Sequence, residues 1–419
     1  MILRLVCILG LASSGCALVN AFGDGNDASV DARPPADAFL ARDAPVADAH
    51  GLGADLCVQN TCYDLQTQFM PSAGPQVVAV AQLAGGPELD IAVANNSLTV
   101  ANIFESGGQS LPVFSENGIV AAGSLGNITA MVHGHFDGDN LLDLAIADDQ
   151  SNLRIVYADG STRTDRTPTL LVAALAVGQL GDGDAIDDIV MQFQNGSYGV
   201  LMSADSFVEN KAYRFSPTGG GKAMALGRFD QGDTLDLAVL RTDNKLDIFA
   251  GEMTGAFGST LATAVMLVPT IAIAAVNLSA GDGPQDLVAI TDCGFGCDAG
   301  AVTAHFYTAN GELLGTYTHP RNLNPYYVVA GDFNTNGERD VVIAGAGDGG
   351  GGGEVVMLFD GTDFSTTSNG SFRDTYSLSV GDSAGPVVAQ DLNDDGKADF
   401  VIARQNDSAI HVFVSQPAQ

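Results

Sequence analysis

Hydrophobic positions in this chain come in short, dense runs and not in helical stripes. The stretch around residue 340 shows the pattern: "YYVVAGDF" (326–333), a polar turn, "DVVIAGA" (340–346), a Gly-rich segment, "EVVMLFD" (354–360), then a looser polar stretch over 364–382. No sustained 3.6-residue apolar period occurs, so long amphipathic helices are not expected. Short runs rich in Val, Ala and Ile, separated by Gly, Asn and Asp, predict β-strands.

The turn between the first two runs recurs along the chain. "DLNDDGKADFVIA" (391–403) and "DFNTNGERDVVIA" (332–344) are the strongest copies, followed by "RFDQGDTLDLAVL" (228–240) and "HFDGDNLLDLAIA" (135–147). Weaker copies in the same frame are "QLAGGPELDIAVA" (82–94), "QLGDGDAIDDIVM" (179–191) and "NLSAGDGPQDLVAI" (277–290), the last with one extra residue. The ninth position of the turn, or its equivalent, is Asp90, Asp143, Asp187, Asp236, Asp286, Asp340 and Asp399. Four strands in each of seven units of about 50 residues predict an all-β fold, a seven-bladed β-propeller. Ala and Gly in the first runs suit strands crowded near a propeller axis. An open β-solenoid is the alternative, though its repeats are usually much shorter.

The turn has the chemistry of a cation loop. Calcium takes six to eight hard oxygen ligands, and an EF-hand loop begins with oxygen side chains at positions 1, 3 and 5 and Gly at 6. Asp391, Asn393, Asp395 and Asp399 match that frame, with the Lys397 carbonyl as a fifth ligand. Asp332, Asn334, Asn336 and Asp340, with the Glu338 carbonyl, repeat it one unit earlier. In blade 2, Asp137, Asp139 and Asp143 are in place, but His135 stands at position 1, and imidazole is a poor calcium ligand. In blade 4 Arg228 stands at position 1, a built-in cation facing Asp230 and Asp236. Blades 1, 3 and 5 lack the ligands, and their Asp90, Asp187 or Asp188, and Asp286 are expected to close the turn by accepting backbone N–H bonds. On "DFNTNGERD" and "DLNDDGKAD" the chain resembles the FG-GAP/VCBS repeat family, the calcium-loop propellers of integrin α-subunit heads and bacterial surface proteins. The resemblance spans residues from about 75 to 415. It implies Ca²⁺ as the bound ion and a propeller that works as a binding surface.

Composition narrows the partners. With 17 Lys and Arg against 50 Asp and Glu, the net charge is −33, which repels nucleic-acid phosphates. No nucleic acid is expected as partner, and a monomer is expected. The chain contains no Trp, which removes the best sugar-stacking side chain.

The first residues, "MILRLVCILGLASSGC", place one Arg before an apolar run too short to span a bilayer, so residues 1–15 read as an export signal. Ser-Ser-Gly before Cys16 resembles a bacterial lipobox, which implies that Cys16 is acylated and anchors the protein to a membrane. The motif departs from the usual form, with Ser13 where Leu normally stands. The alternative is an ordinary cleaved signal, leaving the protein periplasmic or secreted. Residues 16–56 are Ala-, Asp- and Pro-rich with few large apolar groups and read as a disordered tether. The propeller then occupies residues 57–419. Two close cysteine pairs, Cys57 with Cys62 and Cys293 with Cys297, read as local disulfides in an oxidising compartment, with zinc as the competing reading.

Blade 7 runs out of chain after its third run, "AIHVFVSQ". "CYDLQTQFMPS" (62–72) resembles the outer run of other units. It is expected to serve as the missing outer strand, so that the N-terminus closes the ring. No nucleophile or zinc frame surrounds any of the six histidines, His50, His133, His135, His305, His319 and His411. "HPRNLNPYY" (319–327) alone mixes His, Arg and Tyr. The reading that follows is a cell-surface, calcium-binding propeller, a binding, adhesion or scaffold module for a protein or glycan and not an enzyme. The alternative is a carbohydrate-active enzyme of lyase type, with its site at the axial mouth.

Overall fold

The computed structural model describes residues 47–48, 56–58, 61–69, 74–83, 88–94, 101–106, 114–120, 125–158, 163–181, 184–210, 213–266, 269–278, 284–291, 302–319, 323–334, 340–346, 352–362, 371–381, 384–404 and 408–416. The export signal, Cys16, most of the tether, Cys293, Cys297, Asn336 and Glu338 lie outside them.

Seven antiparallel sheets form seven blades, and the protein is a seven-bladed β-propeller. The innermost strands are Val77–Ala81, Ile128–Gly134, Val172–Gly178, Gly221–Gly227, Thr270–Val276, Asn324–Gly331 and Ala384–Gln390. Each touches the next, and the last touches the first, which closes the ring. Gly134 and Gly227 show why these strands must stay slim. A Cβ on Gly134 would lie 2.5 Å from Val177 of the next blade, and one on Gly227 would lie 3.0 Å from the Ala275 Cβ.

The dense apolar runs have a simple cause: each blade is buried on both faces. In the second strand of blade 5, Asp286–Thr291, Leu287 and Ala289 pack against blade 4 while Val288 and Ile290 pack against blade 6. There are seven such cores, one per interface, and the one between blade 7 and blade 1 holds Val388, Val401, Ile410 and Val412 against Val80, Ile91 and Phe104. Burial of apolar side chains on both faces of the inner strands removes the two-residue alternation that a one-sided sheet would show.

The N-terminal strand closes the ring as its sequence implied. Thr61–Phe69 pairs antiparallel with Ala409–Gln416, in register from Ala409↔Phe69 to Gln416↔Cys62, as the outer strand of blade 7. A short strand Leu56–Val58 folds back on it, setting Cys57 opposite Cys62. Two residues of the expected tether, Ala47–Asp48, lie parallel to the outer strand of blade 6, Ser371–Gly381. Blade 3 departs from the pattern. Its sheet has three strands, and the fourth position is a single bridge between Tyr198 and Phe215.

Buried histidines brace the ring. His133, on the innermost strand of blade 2, is 6 % exposed, and its Nδ1 lies 3.5 Å from the Val80 N–H of blade 1. Burial above all, with the nearby His135, lowers its pKa to about 4, while a hydrogen bond with Gln390 of blade 7 works the other way. A histidine whose folded pKa falls below the unfolded value near 6.5 stabilises fully above pH 6.5 and loses that stabilisation as pH falls towards 4. The stability difference between wild type and His133→Gln should therefore shrink by about 3 kcal/mol between pH 7 and pH 4. Urea melts at the two pH values measure it, and a difference that does not change with pH would show that His133 is not held neutral.

Candidate cation loops

The loops between first and second strands stand side by side and clasp one another. The His135 carbonyl accepts the Asp187 N–H (2.7 Å), and the Asp187 carboxylate accepts the His135 N–H (2.9 Å). Arg228 and Gln285 repeat the exchange between blades 4 and 5, with the Gln285 N–H on the Arg228 carbonyl (2.6 Å) and the Arg228 N–H on the Gln285 side chain (2.9 Å). Between blades 6 and 7 the Ala398 N–H donates to the Asp332 carbonyl (2.8 Å). Position 1 of one loop is thus tied to the residue just before the buried aspartate of the next: Asp187 before Asp188, Gln285 before Asp286 and Ala398 before Asp399.

The ninth-position aspartate is a clamp in every blade. One carboxylate oxygen accepts the N–H of the apolar residue at position 2, which gives the pairs Asp90–Leu83, Asp143–Phe136, Asp188–Leu180, Asp236–Phe229, Asp286–Leu278, Asp340–Phe333 and Asp399–Leu392, at 2.7–3.1 Å. In at least five blades the other oxygen accepts the N–H of a small residue at or just past the end of the third strand: Ser106, Ala158, Ser203, Gly251 or Ser415. Each of these aspartates is 3 % exposed or less. The backbone-bonding role expected for blades 1, 3 and 5 holds there and extends to all seven. In blade 3 the clamp is Asp188, while Asp187 makes the clasp to blade 2.

On this frame the cation candidates differ from loop to loop. Asp137, Asp139 and Asp143 bring carboxylate oxygens within 4.8 Å of one another, and no other set of three His, Cys, Asp or Glu side chains does so among the described residues. Burial raises the Asp143 pKa to about 6 against two backbone N–H bonds, with Asp137 and Asp139 adding to the rise. A buried carboxylate facing two others is the electrostatic deficit that a hard divalent cation fills. His135 Nδ1 donates to the Leu141 carbonyl (2.9 Å), so the oxygen at position 7 is engaged by the residue at position 1.

In blade 7 the loop is wound inward on its own ligand candidates. Asp391 accepts the N–H groups of Asp395 (3.1 Å) and Gly396 (2.7 Å), Asp395 accepts that of Lys397 (2.9 Å), and Asn393 Oδ1 accepts that of Asp395 (3.2 Å). Gly396 at φ 82° and Asp394 at φ 58° allow the tight path. Burial raises Asp399 to about 7 and Asp391 above the usual carboxylate range, in each case with a neighbouring carboxylate adding to the rise. The donor set is all oxygen and fits calcium in kind, but these side chains do not converge as those of blade 2 do. In blade 6, Asp332 accepts the Asn334 N–H (3.3 Å) and Asp340 makes its clamp, while Asn336 and Glu338 lie outside the described residues.

The mixed segment at 319–327 holds a buried polar relay between blades 5 and 6. His319 Nε2 lies 3.2 Å from Glu354 Oε1, and its Nδ1 lies 3.0 Å from the Tyr317 hydroxyl. His319 is 2 % exposed and Glu354 5 %. These groups satisfy one another inside the protein, as a structural brace does, with little surface left for a substrate.

No family model and no curated protein matches the chain. Among solved structures, BBS1N in complex with ARL6DN, soaked with lead, aligns at a TM-score of 0.59 and 12% identity, over 84% of this chain and 97% of that one. A mercury-soaked crystal of the same complex aligns at 0.42 and 12% identity, over 61% and 70%. At such identity the first likeness speaks for the fold alone.

Proposed function

We propose that this protein is a calcium-binding surface propeller of the FG-GAP/VCBS type that acts as a binding, adhesion or scaffold module for a protein or glycan. The observation that carries the reading is the convergence of Asp137, Asp139 and Asp143 on a loop frame repeated in every blade. Calcium there would neutralise carboxylates that burial already disfavours as anions. The loops at 332–340 and 391–399 supply the same oxygen chemistry, with Asn336 and the Glu338 carbonyl completing the first set. The propeller likeness to BBS1N, solved in complex with ARL6DN, supports a protein as the partner class. Export by residues 1–15 and acylation at Cys16 would place the body at an outer surface, held off the membrane by the acidic segment that follows. Cys57 stands across from Cys62 in the ladder, which supports a local disulfide locking the start of the closing strand.

Calcium at about tenfold over its dissociation constant should add roughly 1.4 kcal/mol per site, seen as a rise in melting temperature that EGTA reverses. Asp139→Asn, on an exposed ligand outside the clamp, should lose about one site's share of that rise. A melting curve that ignores both calcium and chelator would sink the calcium reading. For the binding reading, the full-length protein is screened on protein and glycan arrays and incubated with polysaccharides. Saturable binding without chain cleavage is expected, and cleavage of a polysaccharide would transfer the protein to the lyase class.

A further inference from the structure

We propose that protonation of His305 loosens the seam between blades 4 and 5, which gives the ring an acid-sensitive joint. The proposal goes beyond the binding reading above and does not depend on its calcium. Its basis is a buried imidazole that no described residue bonds.

His305 stands in the third strand of blade 5, Val302–Tyr307, opposite Ala289 on one side and Thr316 on the other. Ala289 and Tyr307 belong to the apolar core shared with blade 4, where Ala264 and Met266 meet them. His305 shares their side of the sheet and so faces that seam. It is 4 % exposed, its ring lies along that of Tyr307 at 6.1 Å, and neither ring nitrogen has a hydrogen-bond partner. The other described histidines are all engaged: His133 with Val80 and Gln390, His135 with Leu141, His319 with Tyr317 and Glu354, and His411 with Arg404. A neutral imidazole in such a place leaves one donor and one acceptor unmet. A protonated one leaves two donors and a full charge, which a wall of Ala and Met side chains cannot satisfy.

Among the described residues no charged group pairs with it. Tyr307 is the other titratable side chain on its strand. Asp286, at the far end of the second strand, clamps Leu278, and Tyr317 of the outer strand bonds His319. In blade 4, Asp247 turns to Arg241 and Lys245 to Asp243, while the outer strand Phe257–Val265 carries no charged residue. Glu312 is exposed on the following hairpin, and Asp292 and Asp298 lie outside the described residues. Burial lowers the His305 pKa. A histidine held neutral by the fold stabilises fully above its unfolded value of about 6.5 and loses that contribution as pH falls. The seam is also tied elsewhere. Lys222 Nζ donates to the Thr270 carbonyl (2.7 Å) between the innermost strands, and Arg228 exchanges two bonds with Gln285 at the loops. Acid therefore acts on the outer half of the seam while the inner half stays joined, and the joint can close again.

The test uses full-length protein in EGTA, so that cation plays no part. Hydrogen exchange of the amides of residues 286–291 and 302–307 is compared at pH 7 and pH 5, each corrected for the intrinsic exchange rate. Wild type is set against His305→Phe, which keeps a ring beside Tyr307 but takes no proton, and against the smaller, non-titrating His305→Gln. Wild type should lose about tenfold in protection at these strands between the two pH values, while Asp188–Phe193 of blade 3 stays protected. Both variants should hold their protection at pH 5. Wild type that stays protected at pH 5, or a variant that loses as much as wild type, would overturn the proposal. A loss confined to blades 1, 2 and 7, where His133 and His411 are buried, would overturn it as well.

Discussion

A variant lacking residues 57–72 should lose about 5 kcal/mol or more of stability, whereas one lacking residues 17–50 should lose less than about 1 kcal/mol. The first deletion removes the outer strand of blade 7, exposes the edge of Ala409–Gln416, and takes away Tyr63, which is fully buried against Phe400 and bonded to Phe333. Burying a large aromatic side chain is worth about 2 kcal/mol alone, and the ladder and the uncovered core beneath it add to that. An open edge beside a hydrophobic core also invites strand exchange, so the variant should form soluble aggregates on warming. Among the described residues the second deletion removes the short parallel contact of Ala47–Asp48 with blade 6. Chemical denaturation of the two truncated proteins measures the contrast, and equal tolerance of both would mean that the ring does not depend on its N-terminal strand.

The second large effect separates clamp from ligand. Asp236→Ala, in a blade whose loop carries Arg228 in place of a first carboxylate, should cost about 3 kcal/mol whether or not calcium is present. Asp236 accepts the N–H groups of Phe229 (2.7 Å), Asp230 (3.0 Å) and Gly251 (2.8 Å) from a fully buried position, and its removal strands buried donors on two segments. Asp236→Asn keeps an acceptor oxygen and should cost about half as much. Asp233→Ala, three positions earlier on the exposed part of the same loop, should fall within about 0.5 kcal/mol of wild type. Urea unfolding resolves the series. A loss under 1 kcal/mol for Asp236→Ala would show that the backbone bonds of the ninth-position aspartate do not hold the blade together.

Much of this architecture was legible because each unit repeats its own local chemistry. The ninth Asp, the Leu or Phe at position 2 and the slim first strand recur in frame, and the missing fourth run of blade 7 pointed to the segment at 62–72. What the sequence concealed were contacts between units. His135 to Asp187 and Arg228 to Gln285 join residues that sit far apart in different copies, and no local pattern marks a partner one blade away. Glu354 opens the apolar run that follows the Gly-rich segment, and nothing around it in sequence marks His319 of the neighbouring blade as its partner. The second partner of the clamp left a fainter trace, since Ser106, Ala158, Ser203, Gly251 and Ser415 are all small residues at one place in the third strand. Ligand counting put blades 6 and 7 ahead of blade 2, whereas among the described residues it is the three carboxylates of blade 2 that converge, although Asp137 and Asp139 accept backbone N–H groups just as Asp391 and Asp395 do.

The measurement that tests the central claim most directly is native mass spectrometry of the full-length protein after exchange into dilute calcium. Two to three calcium ions should stay bound, one fewer in Asp139→Asn, and an unchanged number in Asp230→Asn of the Arg228 loop. A spectrum with no retained ion, or with the same number in wild type and Asp139→Asn, would contradict the account.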